Sequence, residues 1–250
     1  NDFYSRAIRN LLDRRTEPAT KGMGMRKRSK RYRSDEESLE IQEPLALDKA
    51  VEKVQSFKKT KFDQSIELCV HLGINPKQDD QRVRGSIALP HGIGAARKVV
   101  AFCTDDNIEP AKQAGAIEAG GEDLVKKIEG GWLDFDVAVA SPDMMRVVSR
   151  LGRTLGPKGL MPSPKSGTVT KDVVTAVTEY SAGKVEFKTD AGGNIHAAIG
   201  KVGFEANKLV DNANTLIDTI IRMRPPAAKG VYVKKITLSA TMSPGVPVVT

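Results

Sequence analysis

Residues 64–72 read Gln-Ser-Ile-Glu-Leu-Cys-Val-His-Leu, and apolar and polar side chains alternate along this stretch with a period of two. A β-strand directs successive side chains to opposite faces, so the apolar residues would share one face. The residues that would then share the other face are Ser65, Glu67, Cys69 and His71. The stretch therefore predicts a strand with one buried face and one open polar face, as in an antiparallel sheet covered on one side.

The pattern changes after Arg97. Lys98–Cys103 and Phe135–Ala140 are nearly continuous apolar runs, which are typical of strands buried on both faces. Strands and helices that alternate at this spacing predict a small α/β domain with a largely parallel sheet. The other segments of this region are helices around Ile108–Gly115, Glu122–Ile128, Met144–Leu151 and Asp172–Tyr180, and a Gly/Pro-rich loop at Gly152–Gly167.

The simplest arrangement is an α/β (α+β) fold with two domains, because short strands, a long helix and a final strand follow residue 183. Residues 35–92 plus 184–250 would form a discontinuous first domain, and residues 93–183 an inserted second domain. Residues 1–34 would be an N-terminal extension. The chain would cross between the domains twice, which predicts a hinge at Gly92, Gly94 and Gly183.

Composition excludes several classes of protein. With 40% hydrophobic residues the chain can bury a core, so it is not wholly disordered. It has no apolar run long enough for a membrane-spanning helix. Two cysteines exclude a disulfide scaffold and favour a reducing compartment. Aromatic residues make up only 5%, so stacking on an aromatic platform cannot be the main way of binding bases.

The net charge of +8 is concentrated in residues 1–34, which hold 11 Lys and Arg but only 3 acidic residues. The remaining 28 basic and 28 acidic residues balance, so the body of the chain is neutral. A basic arm favours contact with nucleic acid, although a solvated charge run or the remains of a targeting peptide would look the same. The candidate contacts in this arm are Arg26, Lys27, Arg28, Lys30 and Arg31.

Two glycine-rich segments resemble nucleotide-binding motifs only in part. Gly92–Arg97 has two of the three glycines of a dinucleotide fingerprint and precedes a strand rather than a helix. Gly152–Gly159 lacks the Gly-Lys-Ser/Thr ending of a phosphate loop, and Pro157 removes one N–H donor. An enzyme with a nucleotide site in the inserted domain is thus the less favoured alternative. No metal or cofactor is expected, since no zinc-ligand spacing occurs.

The same region has a second interpretation. Its basic residues Arg153, Lys158 and Lys165 lie among glycines that let backbone N–H groups approach a phosphate closely. They are therefore candidates for secondary RNA contacts, with a solvated structural loop as the alternative.

Over nearly all of residues 26–250, the chain resembles the family of large-subunit ribosomal protein one, the L-one family, because a series of motifs matches that family in the same order. The most specific of these matches is Leu155-Gly-Pro-Lys-Gly-Leu-Met-Pro162. The other segments that carry the resemblance are Lys61–Glu67, Leu72–Pro76, Arg84-Gly85, Leu89–Gly94, Gly131–Asp136, Pro142–Met145, Gly183–Phe187 and Thr241–Gly245.

The resemblance implies a non-enzymatic protein with a split β-α-β first domain and a Rossmann-like, three-layer inserted domain. It implies binding to the mobile L-one stalk of large-subunit rRNA, beside the tRNA exit site and other ribosomal proteins. There it would assist the movement and release of deacylated tRNA. Repression of its own messenger RNA is a further expectation. Neither a small-molecule substrate nor a membrane partner is expected.

The family's main RNA surface carries over to the first domain. The residues implied are Lys61, Phe62, Ser65, Glu67, Thr241, Met242, Pro244 and Gly245, with Lys184 and Lys188 as weaker candidates. Two positions depart from the family pattern. Ser243 stands where glycine is usual, and Cys69 stands where histidine is frequent.

Residues 1–24 have no counterpart in a typical bacterial member, which begins near Met25. The segment is rich in arginine and poor in acidic residues, as a processed organellar precursor would be. We therefore expect a ribosome of an organelle, with the mitochondrion favoured. The bacterial cytoplasm and the chloroplast are the alternatives.

Overall fold

The alternating stretch forms strand β1, Ser65–Leu72, as predicted. The chain is described by a computed structural model over residues 28–39, 43–58, 60–94 and 97–249. β1 lies in a four-stranded antiparallel sheet with the order β7-β1-β8-β9. The other strands of this sheet are β7 (Asn194–Lys201), β8 (Val233–Ala240) and β9 (Val246–Val248).

Two amphipathic helices cover the apolar face of this sheet. Helix α2 spans Leu47–Ser56, and helix α8 spans Ala206–Arg222 before Pro225 and Pro226 prevent its continuation. Most of the buried residues lie three or four positions apart, so they form one stripe on each helix. These residues are Ala50, Val51 and Val54 on α2, and Leu209, Ala213, Leu216 and Ile220 on α8.

The second sheet has two antiparallel strands, β2 (Arg84–Ile87) and β6 (Val185–Lys188). Its buried residues Ile87, Val185 and Phe187 belong to the same hydrophobic cluster as the four-stranded sheet. This cluster joins residues 50–93 to residues 185–248. The fold thus combines two distant parts of the chain in one core.

The third sheet is parallel and three-stranded, and β3 lies at its centre between β4 (Glu118–Gly120) and β5. Both faces of β3 (Val99–Phe102) and β5 (Val137–Ala140) are buried, as their continuous apolar runs predict. Helices lie on both sides of this sheet and form two further hydrophobic clusters. The helices of this region are α3 (Ile108–Gln113), α4 (Glu122–Glu129), α5 (Met145–Val148), α6 (Gly152–Leu155) and α7 (Val173–Ser181).

Several elements differ from the sequence-based expectation. Strand β4, Glu118–Gly120, was not expected because its three residues carry little β-propensity, and neighbouring β3 supplies its hydrogen bonds. Helix α1, Lys30–Glu37, spans the expected boundary between the basic extension and the first domain at residue 34. The expected loop Gly152–Gly167 contains helix α6 and a 3₁₀ turn at Pro164–Ser166. β9 pairs at the sheet edge, where Pro247 is tolerated.

The two chain crossings lie against each other. Gly183 has a φ of +104°, and a Cβ placed there would lie 3.2 Å from the Ile93 nitrogen. Buried Asn212 of α8 fixes the first crossing: its Nδ2 donates to the carbonyls of Gly92 and Ile199, at 3.0 and 2.8 Å. Gly92 and Gly183 therefore sit at a close contact between two backbone segments, whereas a Cβ at Gly94 would meet the Phe204 ring at 2.6 Å. The domain boundaries themselves stay a prediction.

Candidate nucleic-acid interface

The polar face of β1 is not covered by the two helices, which lie on the apolar side. Glu67 on this open face is exposed, and Ser65, Cys69 and His71 are half-buried. Hydroxyl, amide and imidazole groups of this kind can bond the phosphates and 2′-hydroxyls of RNA. The cross-strand neighbours on the open face are Ala198, His196 and Asn194 on β7, and Ser239, Thr237 and Lys235 on β8.

At the start of β1, hydrogen bonds join two segments that are 176 residues apart in sequence. Thr241 Oγ1 accepts the Ser65 N–H at 3.1 Å and donates to the Ser65 carbonyl at 3.2 Å. The Thr241 N–H donates to the same carbonyl at 3.0 Å. The structure thus brings together Ser65 and Thr241, which the resemblance assigned to one surface.

Two large apolar side chains protrude beside this pair. Phe62 is 53% exposed and Met242 is 50% exposed. The Phe62 carbonyl accepts a hydrogen bond from Thr60 Oγ1 at 2.7 Å. The Met242 backbone is bonded on both sides, to Gln64 and to Arg31. Apolar groups held at the surface in this way can pack on a sugar or on an unstacked base.

Lys201, at the end of β7, also belongs to this site, although no sequence motif indicated it. Its Nζ donates to Ser65 Oγ at 3.0 Å, because the register of β7 places Lys201 opposite Ser65. Lys61, which is four residues before Ser65 in the sequence, is exposed. We call Phe62, Ser65, Lys201, Thr241 and Met242 the Ser65–Thr241 cluster. It combines two apolar surfaces, two hydroxyls and one cation.

In the turn after β8, the successive residues Ser243, Pro244 and Gly245 differ in exposure and in what they contact. Ser243 Oγ accepts the Ala240 N–H at 2.9 Å and closes the turn without a positive φ, so glycine is not required there. Pro244 is buried, so its side chain supports the turn from inside. Gly245 is exposed, and a Cβ there would lie 2.8 Å from Thr237 Cγ2. Of the three, Gly245 allows the closest approach to the sheet.

Lys188 is the last residue of β6 in the second sheet, Lys184 directly precedes this strand, and the structure does not bring either of them to the Ser65–Thr241 cluster. Lys184 Nζ pairs with Glu179 at 2.6 Å and lies 5.2 Å from the centre of the Tyr180 ring. Lys188 is exposed and stands directly opposite Arg84 across the strand pair. Two like charges in this position repel each other, so an anion there would stabilise the pair.

The secondary candidates are dispersed. Arg153 on α6 and Lys158 in the following turn are exposed, and Lys158 lines a cleft with Arg97, Asp136 and Glu186. Lys165 lies in the turn Pro164–Ser166. In the basic arm, Arg26 and Lys27 lie outside the described residues. The other members of the arm are Lys30, which is exposed, Arg28, which lies 4.4 Å from the centre of the Tyr32 ring, and Arg31, which bonds Met242.

Glu186 of β6 lies beside Tyr180 of α7, and its carboxyl makes the stability of the fold depend on pH. Burial raises the pKa of its carboxyl above the ordinary value, and the Tyr180 hydroxyl and the charges of Arg97, Lys184 and Lys188 oppose this rise. A raised pKa means that the folded protein holds the proton more tightly than the unfolded chain. This carboxyl therefore stabilises the fold at pH values below its ordinary pKa. The stabilisation is lost as the pH rises through the raised pKa.

We expect Glu186→Gln to flatten the decline of unfolding free energy as the pH rises above the ordinary pKa of a glutamate, because the amide no longer titrates. Urea denaturation at a series of pH values measures this slope. Glu52→Gln, on the exposed side of α2, removes the same charge from the surface and is the matched control. Equal slopes for the wild type and Glu186→Gln would contradict the prediction.

Cys69 and His196 lie close together on the open face but are not arranged as a nucleophile and base. The same nitrogen, His196 Nε2, is 4.0 Å from Cys69 Sγ and 3.7 Å from Asp190 Oδ2, whereas an orienting carboxylate would hold the other nitrogen. Burial, followed by the charge of Asp190, raises the pKa of the Cys69 thiol, so the reactive thiolate is disfavoured.

Within the described ranges, no group of three or more His, Cys, Asp or Glu side chains is placed to hold a metal ion. No helix in that part of the chain combines the length and the apolar character needed to cross a membrane.

The profile of the Ribosomal protein L1p/L10e family matches residues 54–244. The chain is also similar to two bacterial proteins that are each named large ribosomal subunit protein uL1. It is 49% identical to the one from Cutibacterium acnes over 222 residues, which cover 89% of this chain and 96% of the relative. It is 50% identical to the one from Nitratidesulfovibrio vulgaris over 221 residues, which cover 88% and 94%. The family match includes the whole of β1 and the turn after β8 as far as Pro244.

Proposed function

Because the chain belongs to the ribosomal protein L1p/L10e family, we propose that it binds the L-one stalk of large-subunit rRNA through the open face of its antiparallel sheet. Members of this family are structural proteins of the large ribosomal subunit and not enzymes. The proposal concerns which RNA the chain contacts and which residues make the contact.

The observation that carries the proposal is the Ser65–Thr241 cluster. The chain beyond residue 34 has balanced charges, so long-range attraction by this part cannot select one RNA stem. Selection must then depend on short-range contacts. Phe62 and Met242 offer apolar surfaces, Lys201 offers a cation, and Glu67 offers a carboxylate that repels phosphate but accepts bonds from 2′-hydroxyl or base amino groups.

Two more specific activities, one on tRNA and one on messenger RNA, would follow from binding to the stalk. A protein on the stalk beside the exit site would assist the movement and release of deacylated tRNA. A messenger RNA that mimics the stalk would compete for the same surface, so repression of the protein's own messenger needs no second site.

We further propose that residues 35–92 plus 184–250 and residues 93–183 are separate domains joined at Gly92, Gly94 and Gly183. Support comes from the hydrophobic clusters, one of which joins residues 50–93 to 185–248 while two others lie within residues 99–180. Helix α1, Lys30–Glu37, crosses the proposed start of the first domain at residue 35.

The two relatives described above are bacterial, and the organellar location expected from the sequence has no support among them. We therefore propose a bacterial ribosome, which was the alternative in the sequence analysis.

Chemical footprinting on total rRNA tests the proposal. We expect the chain to protect one stem of the large-subunit rRNA, the L-one stalk, and to leave the small-subunit rRNA unprotected. A variant that combines Phe62→Ala and Thr241→Val should lose this protection, because it removes one apolar surface and one hydroxyl of the cluster. Protection of many unrelated stems, or unchanged protection by the double variant, would refute the assignment.

A further inference from the structure

Two side chains hold the backbone of Met242 from opposite directions. Gln64 Oε1 accepts the Met242 N–H at 3.0 Å, and Arg31 Nη2 donates to the Met242 carbonyl at 3.0 Å. Gln64 is itself buried, and its backbone carbonyl accepts the Val202 N–H at 2.9 Å. The backbone of an exposed turn residue normally bonds to water. Here the backbone is fixed by protein groups while the side chain remains half-exposed.

Arg31 is held in place by the anchoring of its helix. Asp35, also on α1, is buried and its carboxylate accepts the Lys58 N–H at 3.4 Å. Lys58 Nζ donates to Ser34 Oγ at 2.9 Å. Lys58 precedes Phe62 by four residues. Helix α1 therefore connects the segment that leads into β1 to the turn that follows β8, and these two segments carry Phe62 and Met242.

We infer that Arg31 and Gln64 are positioning residues, which fix the Met242 turn in the geometry that RNA recognition requires. The inference rests on the function proposed above. The guanidinium of Arg31 is directed at a carbonyl of the protein, so its main effect is to order an exposed turn before RNA arrives. Ordering a binding surface in advance lowers the entropic cost of association and favours the one ligand whose shape fits. From the sequence alone, Arg31 is only one of several candidate RNA contacts in the basic arm.

Arg33 provides a matched control for Arg31. It lies on the same helix, is exposed, and among the described residues none forms a hydrogen bond or ion pair with its side chain. Arg31→Ala should weaken binding to stalk RNA roughly fivefold more than binding to a scrambled RNA of equal length, because the turn is released. Arg33→Ala should weaken both by the same factor, since it removes only a charge. Arg31→Lys should restore most of the discrimination, because the ammonium can still donate one hydrogen bond.

A second measurement needs no RNA. We expect hydrogen exchange at the amides of residues 241–243 to become faster in Arg31→Ala and in Gln64→Met, and to be unchanged in Arg33→Ala. Thermal unfolding should show that each variant is folded.

Unchanged exchange in Arg31→Ala, or equal losses on both RNAs for Arg31→Ala and Arg33→Ala, would overturn the inference. If the wild type itself shows no preference for stalk RNA, the proposed function fails. The exchange result then still decides whether Arg31 orders the turn.

Discussion

Phe62→Ala and Thr241→Val should each lower the affinity for stalk RNA by about ten- to a hundredfold, or about 1–3 kcal/mol, while binding to scrambled RNA changes little. The alanine removes the ring that is exposed beside β1. The valine keeps the shape of Thr241 but removes the hydroxyl that bonds both backbone groups of Ser65. Filter binding or fluorescence anisotropy at one fixed salt concentration measures the ratio of the two affinities.

Two controls separate this effect from a general loss of surface or of structure. Ile221→Ala removes another exposed apolar side chain, at the end of α8, and should leave both affinities unchanged. Thr241→Ser keeps the hydroxyl and should retain most of the discrimination. Arg153→Ala, on α6, should have a smaller effect on the ratio than either cluster variant. If Phe62→Ala loses both RNAs equally, or if Arg153→Ala alone abolishes the preference, the site has been assigned to the wrong surface.

Asn212→Ala should destabilise the fold by about 3 kcal/mol, the largest stability effect that we expect of one polar side chain. Asn212 is fully buried, and its amide serves three backbone groups. Nδ2 donates to the Gly92 and Ile199 carbonyls, and Oδ1 accepts the His91 N–H at 3.2 Å. Alanine leaves these groups without their partner at the point where the chain first crosses from one part of the fold to the other.

Urea unfolding measures this loss as a lower midpoint at constant slope. Asn214→Ala is the matched control, because Asn214 lies two residues further along α8 and is exposed. Its midpoint should stay close to that of the wild type, within about 0.5 kcal/mol of stability. A midpoint for Asn212→Ala that equals that of Asn214→Ala would show that the three bonds are replaced without cost, for example by water.

Strands whose side-chain patterns are local could be predicted from the sequence alone. The alternation in residues 64–72 predicted which side of β1 is buried, because a strand directs neighbouring residues to opposite faces. The continuous apolar runs of β3 and β5 likewise predicted burial on both faces. The family could also be identified from ordered motifs, and the family match confirmed it. The proposed RNA-binding residues of β1 and of the turn after β8 came from that resemblance.

The contacts between residues that are distant in sequence follow from the folded chain and from no local pattern. Ser65 contacts Thr241 and Lys201, Arg31 reaches Met242, and Asn212 fixes Gly92, over separations of 120 to 211 residues. Local periodicity says which face a residue occupies but not the order of the strands or their register, and the register placed Lys201 beside Ser65. The same holds for β4, which is held as a strand by the hydrogen bonds of its neighbour. The interface therefore depends on sheet order, which is set by the packing of the whole chain.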